Sequence, residues 1–293
     1  MGPESPPLQL IGRESERQRL EENAARGRHT LLVGPIGIGK SHLLRVVAGA
    51  LPRALRVDHV RPLRMSLLAL CQALHAAGAL TVPGFDVAAL AWPDCARKLA
   101  RLNVRELTEL VMAGLHGREY VVILDQLEGA TPSMASTLEH LLEEAVVLGA
   151  TRQLRPGLQK LWWAFERVDL PPFGRDEARR LLWSVAEPHE VADPTMFEAK
   201  VLAQAGGNPH AIVEMARQVA GAPRGGLQAI RDLWHGAGVR YLDLTPLLLL
   251  IGAGLVAARF LALGLDDRDL YILAGSLGAL FFVVRYLLTR RGS

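Results

Sequence analysis

The chain has 293 residues with 33 basic and 30 acidic side chains, a formal net charge of +3, and this mild balance gives no electrostatic footprint of nucleic-acid binding. Cys71 and Cys95 form no C-x-x-C pair, which argues against a zinc site and for a reducing compartment. Half the residues are hydrophobic, mean hydropathy is +0.18, and the length suits two or three structural units.

Residues 1–8 hold prolines and charge and read as a flexible lead-in. An acid and prolines ahead of any apolar run are not the pattern of a secretory signal. Leu10-Ile11-Gly12-Arg13-Glu14 then precedes a charged helical stretch from Ser15 to Ala25. Residues 29–33 (HTLLV) read as a short buried strand running into Gly34-Pro35-Ile36-Gly37-Ile38-Gly39-Lys40-Ser41, and residues 41–50 read as the helix that leaves it. The octapeptide satisfies G-x-x-x-x-G-K-[ST] at every fixed position, with strand and helix in the required order. Glycines let the backbone turn tightly and aim several N–H groups at one point, and the helix N-terminus adds the positive end of its dipole. Lys40 is placed to reach the β- and γ-phosphates of a nucleotide, Ser41 to ligate Mg²⁺, and His42 to follow as a further contact.

Residues 55–60 read as a second strand, residues 65–77 as an apolar helix holding Cys71, residues 83–93 as a loop and residues 94–115 as one helix. On that helix Arg97, Arg101 and Arg105 fall four apart and would share a face. The stripe is compatible with a solvated surface, a neighbouring subunit, a nucleic-acid backbone or lipid headgroups. Residues 119–125 (EYVVILD) read as a strand buried on both faces of a parallel sheet, with Asp125 at the C-terminal end where open α/β sheets bind ligands. Asp125 is the second candidate Mg²⁺ ligand. Residues 132–144 read as a helix capped by Ser133, residues 145–151 as a strand, residues 158–165 as a short helix with Trp162 and Trp163 in a core or an interface, and residues 166–170 as a last strand.

With these segments in place, the chain resembles AAA+ and STAND-type ATPase modules from about residue 9 to residue 220. The hydrophobic-Gly-Arg-Glu box, the phosphate loop, the strand ending in Asp125, the Thr151-Arg152 pair, the hinge from Leu170 to Ala178 and Gly206-Gly207-Asn208-Pro209 carry the resemblance. It implies ATP and Mg²⁺ as cofactors. It also implies adenine contacts at Ile11 and Gly12, a γ-phosphate reader at Arg152, a nucleotide contact at Pro209 in a helical lid, and a finger at Arg155 reaching the next subunit's nucleotide. Many AAA+ proteins have Glu directly after the metal-binding Asp to polarise water; here that position is Gln126, and Glu128 is the candidate substitute. The expected lid arginine is not apparent, since Arg217 falls late on its helix.

Residues 244–263 and 270–288 are apolar on every face, each with one charge, and each is long enough to cross a ~30 Å hydrocarbon core. Residues 264–269 form an acidic turn, while Arg231, Arg240, Arg290 and Arg291 flank the outer ends, which places both ends and the ATPase module on the cytoplasmic side of a membrane. The expected organisation is a P-loop parallel α/β domain at residues 9–172, a helical lid at 173–222, a linker at 223–242 and a transmembrane helical hairpin with a basic tail at 243–293. The expected function is a membrane-anchored ATPase that couples nucleotide binding and hydrolysis to homo-oligomer assembly on the bilayer, working with a protein partner the sequence does not identify. A slowly hydrolysing switch whose hairpins form a channel or signalling platform is the alternative, and a membrane-tethered DNA-handling ATPase is a third reading.

Overall fold

The structure, a computed structural model, describes residues 10–220 apart from 85, 86, 88, 89 and 118, together with scattered positions from 230 to 281. It divides into two compact units, Met1–Gly238 and Val239–Ser293.

In the first unit, helix α1 (Glu14–Ala25) leads to β1 (Thr30–Val33), α2 (Lys40–Ala50) and β2 (Ala54–Val57). Helices α3 (Leu63–Ala76), α4 (Trp92–Leu99) and α5 (Val104–Leu115) precede β3 (Val121–Leu124). Then come α6 (Ala135–Glu144), β4 (Val146–Thr151), α7 (Gln159–Trp163) and β5 (Glu166–Asp169). The five strands form one parallel sheet in the order β2-β3-β4-β1-β5. Both faces are buried, and the strand periodicity shows how. Leu31, Val33, Val122, Leu124 and Val147 pack into a core shared with α3, α5 and α6. Leu32, Ile123, Leu148, Ala150 and Val168 face the opposite way, into a core shared with α1 and α2. Near-continuous apolar strands are what a sheet covered on both sides demands.

Register sets the site. Val33 pairs with Thr151 and Asp169, and Leu124 with Gly149, so the chain leaves β1, β3 and β4 at the same sheet edge. Gly149 is needed for close approach: a Cβ there would lie 2.4 Å from Leu127 Cδ1 and 3.0 Å from Leu31 Cδ1. Leu127 belongs to the 3-10 turn Leu127–Gly129 that follows Asp125, so this contact seats the turn on β4.

The ladder is also closed at its other end by a side chain. The Val147 N–H donates to His29 Nδ1 at 3.0 Å, and burial pushes the His29 pKa below its ordinary value of 6.5. An imidazole that accepts at Nδ1 loses this bond if that nitrogen is protonated. The unfolded chain therefore takes up a proton more readily than the folded one, and stability falls as pH drops through about 6.5. We expect urea unfolding to show this loss between pH 7.5 and 5.5, with a slope of at most about 1.4 kcal/mol per pH unit from this group. His29→Gln should flatten that slope; an unchanged slope would clear His29 of the effect.

The lid comprises α8 (Arg175–Val185), α9 (Pro194–Ala205) and α10 (Pro209–Ala220). These helices bury Leu182, Phe197, Val201, Ile212 and Met215 in a core of their own. Asp193 caps α9 through the Met196 N–H at 2.9 Å, and Gly206, in the left-handed region, ends it.

Several elements differ from expectation. The helix read over residues 94–115 is two helices. Asn103 and Glu106 form a reciprocal capping box that starts α5 afresh, and Arg64 donates to the carbonyls of Ala100 and Leu102 across the break. Arg97, Arg101 and Arg105 therefore do not form a stripe on one helix. Arg97 pairs with Asp94 on α4 and Arg105 with Glu109 on α5, both at the surface. Ser133 does not cap a helix: Pro132–Met134 is a 3-10 turn, and the Ser133 hydroxyl meets that of Thr131 at 2.9 Å. Trp162 is buried, whereas Trp163 is 86 % exposed.

In the second unit, the hairpin expected over residues 243–293 lies largely outside the described residues. Among the described residues, no helix is long and apolar enough to cross a membrane. Those described are largely helical from residue 250 to 281, and Leu250, Phe260, Leu261 and Leu265 are exposed.

Candidate functional site

A cavity of about 530 Å³ opens at the sheet edge where β1, β3 and β4 end. One end is polar, lined by Lys40, Ser41, His42, Asp125, Gln126, Glu128 and Arg152. The other is apolar, lined by Leu10, Ile11, Phe173, Leu181, Pro209 and Val213. Four cationic side chains (Arg13, Lys40, Arg152 and Arg217) stand against the two carboxylates of Asp125 and Glu128. A cavity with an apolar end and a cationic excess at its rim and polar end suits an amphipathic polyanion, such as a nucleotide with its base at one end and phosphates at the other.

The phosphate loop is built as its sequence requires. Gly37 and Gly39 both adopt positive φ, 78° and 99°, which lets the chain turn onto the N-terminus of α2. Ile38 points inward and is fully buried against the sheet, while Ile36 is exposed at the cavity. Lys40 is almost wholly buried, and its ammonium donates to the carbonyls of Gly34 at 2.6 Å and Pro35 at 2.9 Å. Gly34 and Pro35 thus serve the site from behind, holding the lysine, rather than lining it. Burial lowers the Lys40 pKa, while Glu128 and Asp125 act to raise it and Arg152 to lower it. These four charges therefore lie within interaction range of one another.

Asp125 sits directly after β3 and is buried. Its Oδ1 accepts the Gln126 N–H at 2.8 Å, which fixes the carboxylate while Gln126 takes the left-handed conformation at φ 56°. Gln126 Oε1 lies 3.0 Å from His59 Nδ1, so the amide is anchored to the end of β2. Glu128 binds Arg152 twice: its Oε1 lies 2.9 Å from Arg152 Nε, and its Oε2 accepts the Arg152 N–H at 3.3 Å. Thr151 is fully buried and donates its hydroxyl to the Gln153 carbonyl at 2.9 Å, turning the chain so that Arg152 reaches the cavity.

Mg²⁺ fits this donor set. Among the described residues no three His, Cys, Asp or Glu side chains cluster to hold a metal ion. Ser41 and Asp125 offer two oxygen donors in one cavity, and Mg²⁺ typically takes one or two protein ligands, with phosphates and water completing its octahedron.

The lid closes directly on the loop. The Asn208 side-chain amide donates to the Ile36 carbonyl at 2.9 Å, and the His210 N–H donates to the Gly37 carbonyl at 3.1 Å. A Cβ on Gly37 would come within 2.6 Å of Asn208 Oδ1. The Phe173 N–H donates to the Gly207 carbonyl at 2.8 Å, tying the hinge to the same turn. At the apolar end the Arg13 guanidinium lies 4.7 Å from the centre of the Phe173 ring, donates to Glu16 at 2.7 Å and to the Pro171 carbonyl at 2.5 Å, and so joins the start of α1 to the hinge.

The structure therefore brings together Ile11, Ile36, Gly37, Ile38, Gly39, Lys40, Ser41, His42, Asp125, Glu128, Arg152 and Pro209. Gly12 stands beside the cavity with positive φ, packed on the Glu177 side chain. Arg155 does not line this cavity. It lines a separate groove with Leu154, Trp162 and Trp163, and donates to the Ala130 carbonyl at 3.5 Å. Arg13 and Arg217 are cavity residues that the sequence reading did not assign. Arg217 had a signal: Pro209, Val213 and Arg217 recur at four-residue spacing and so share one face of α10.

No protein with a curated description matches the chain. Among solved structures, the Walker-type ATPase of Pyrococcus abyssi aligns with a TM-score of 0.54 at 16% identity, over 89% of this chain and 77% of that one. A signal transduction ATPase with numerous domains (STAND) with a tetratricopeptide repeat sensor, from Pyrococcus horikoshii, gives 0.46 at 18% identity over 79% of this chain. This chain spans 34% of the length of that protein. The RuvB Holliday junction branch migration motor of Thermotoga maritima gives 0.43 at 17% identity, over 76% of this chain and 68% of that one. At 16% identity the likeness to the Pyrococcus abyssi ATPase is one of fold. Residues 9–153 match the AAA ATPase domain family, a stretch that takes in the phosphate loop, Asp125 and Thr151-Arg152 on the parallel sheet.

Proposed function

We propose that the chain is a membrane-anchored ATPase that binds ATP with Mg²⁺ and couples binding and hydrolysis to homo-oligomer assembly on the bilayer. The observation that carries the nucleotide reading is the convergence of Lys40, Ser41, Asp125 and Arg152 on one cavity whose far end is apolar. In this reading Lys40 leaves the Gly34 and Pro35 carbonyls for the β- and γ-phosphates. Ser41 and Asp125 would hold Mg²⁺, which would supply positive charge to offset the charge that develops on the phosphates. Ile11 and Phe173 enclose the base.

Support for the membrane comes from the two apolar segments at 244–263 and 270–288, and from the exposed apolar side chains among the described helical residues there. Their arginine-rich outer ends favour a cytoplasmic ATPase domain. Support for assembly comes from Arg155, which lies outside its own subunit's cavity, beside the exposed Trp163. A finger from a neighbour is worth about 10³–10⁵ in rate where it completes a phosphoryl-transfer site. Confinement to a bilayer raises the effective concentration of such neighbours.

One observation favours the slower, switch-like version of this function. Gln126 stands where a water-polarising carboxylate is common in AAA+ proteins, and its amide is bonded to His59. An amide has no basic site for the water proton.

One experiment tests anchoring and assembly together. Full-length protein is reconstituted into liposomes, floated, washed with carbonate and assayed for phosphate release at several surface densities. We expect it to float, to resist carbonate, and to turn over faster per subunit as density rises. Arg155→Ala should retain ATP binding and lose the density-dependent part, and mixing it with Lys40→Ala should restore some. Recovery in the wash would rule out the anchor, and a rate per subunit independent of density would rule out the shared site.

A further inference from the structure

The Glu128–Arg152 pair lies inside the cavity, yet neither the phosphate loop nor the metal site needs it. Its geometry is unusual for a surface ion pair. Glu128 is held by both the side chain and the backbone N–H of Arg152, and its side chain is 18% exposed against 52% for Arg152. The acid is the fixed partner and the arginine the one with room to move. Both line the same cavity as Lys40, so a terminal phosphate held by Lys40 would enter the space they face.

We infer that Glu128 and Arg152 form an exchangeable pair: a γ-phosphate draws the Arg152 guanidinium off Glu128, so that triphosphate binding and the release of the Glu128 carboxylate are one event. The inference rests on the ATP reading of this cavity and deepens it. Before the exchange both Glu128 carboxylate oxygens are occupied, Oε1 by the Arg152 guanidinium and Oε2 by the Arg152 N–H. A terminal phosphate carries more negative charge than a single carboxylate and presents several oxygens to the planar donor fork, so it competes for Arg152. A diphosphate ends short of this position and leaves the pair intact. Once freed, Glu128 can accept a proton from water as the water oxygen bonds to the γ-phosphorus and the bridging oxygen leaves on ADP with its electron pair. The carboxylate missing at position 126 is thereby supplied two residues later, and only when the γ-phosphate is present.

The exchange predicts a gain in binding where simple loss of a catalytic group predicts none. The probes are ADP and a non-hydrolysable ATP analogue, titrated with Mg²⁺ into wild type, E128Q, R152A and the double variant. Glu128→Gln removes the competitor for Arg152, and analogue affinity should rise about twofold to fivefold, the range set by a partly exposed ion pair. ADP affinity should stay within twofold. Arg152→Ala should weaken the analogue but not ADP, and in its background E128Q should give no gain. If Arg152 instead stays on Glu128 and shields it, R152A weakens ADP and the analogue alike and E128Q tightens binding more without Arg152 than with it, and the exchange is refuted. An E128Q affinity equal to wild type refutes it as well. Wild-type protein that binds neither nucleotide refutes the ATP reading itself, a distinct result.

Discussion

Lys40→Ala is expected to weaken ATP binding by about two to three orders of magnitude while leaving the fold intact. Hydrogen bonds to charged groups contribute about 1.5–3 kcal/mol each, and a lysine reaching two phosphates would lose roughly 3–4 kcal/mol of binding. The ammonium is already positioned for this. It is almost wholly buried and is held by two loop carbonyls, so little side-chain entropy remains to be lost when phosphates replace them. Removing it leaves the Gly34 and Pro35 carbonyls to water, a modest change, because Gly34 is only half-buried and Pro35 is exposed. The packing of α2 rests on Leu43, Leu44 and Val47, which the substitution does not touch. Titration of a fluorescent ATP analogue, with thermal unfolding in parallel, measures both. An affinity within threefold of wild type would remove the phosphate loop from the function.

The loop was legible because its chemistry is local. Eight consecutive residues between a strand and a helix carry the turn, the donors and the charge, and no distant contact is needed to recognise them. Asp125 was legible for a related reason: an apolar run ending in an acid marks the C-terminal end of a buried parallel strand. Arg13 and Arg217 were harder to find, because their place depends on how other elements pack. Arg13 is drawn in by stacking on Phe173, which is 160 positions further along the chain. Arg217 reaches the cavity because α10 begins on the loop, anchored by Asn208 on Ile36 and by the His210 N–H on Gly37, so the face carrying Pro209, Val213 and Arg217 looks inward.

The helix read across residues 94–115 failed for a different reason. Its apolar periodicity runs on in both halves, and Cys95, Leu99, Leu107, Val111 and Leu115 all enter one core. Periodicity alone does not register a break in which both halves face the same way. The break is written in caps, in Asn103 with Glu106 three residues on, and a search for caps before periodicity finds it. The same ordering of signals explains Ser133. It is a good capping residue by type, but Pro132 and the 3-10 turn place it inside the turn rather than ahead of it.

Asp125→Asn is expected to cut Mg²⁺-dependent phosphate release by about 10²–10³, the loss seen when one preorganised stabilising group is removed from an active site. The direction follows from a hydrogen bond. The Gln126 N–H donates to Asp125 Oδ1 at 2.8 Å and still needs an acceptor after the substitution. The asparagine oxygen is the only acceptor on the new side chain, so it takes that position and turns the amide NH₂ toward the cavity, where it repels a cation instead of ligating it. The substitution thus keeps the shape of the turn and the left-handed Gln126 while reversing the polarity facing the metal. Binding of ATP without Mg²⁺ should change little, because Lys40 and the loop amides are intact. The Mg²⁺ concentration needed for half-maximal turnover should rise. Phosphate release measured across a Mg²⁺ series, beside metal-free ATP titration, separates the two effects. Turnover within threefold of wild type at every Mg²⁺ concentration would show that Asp125 does not hold the metal, and Ser41 with the phosphates would have to suffice.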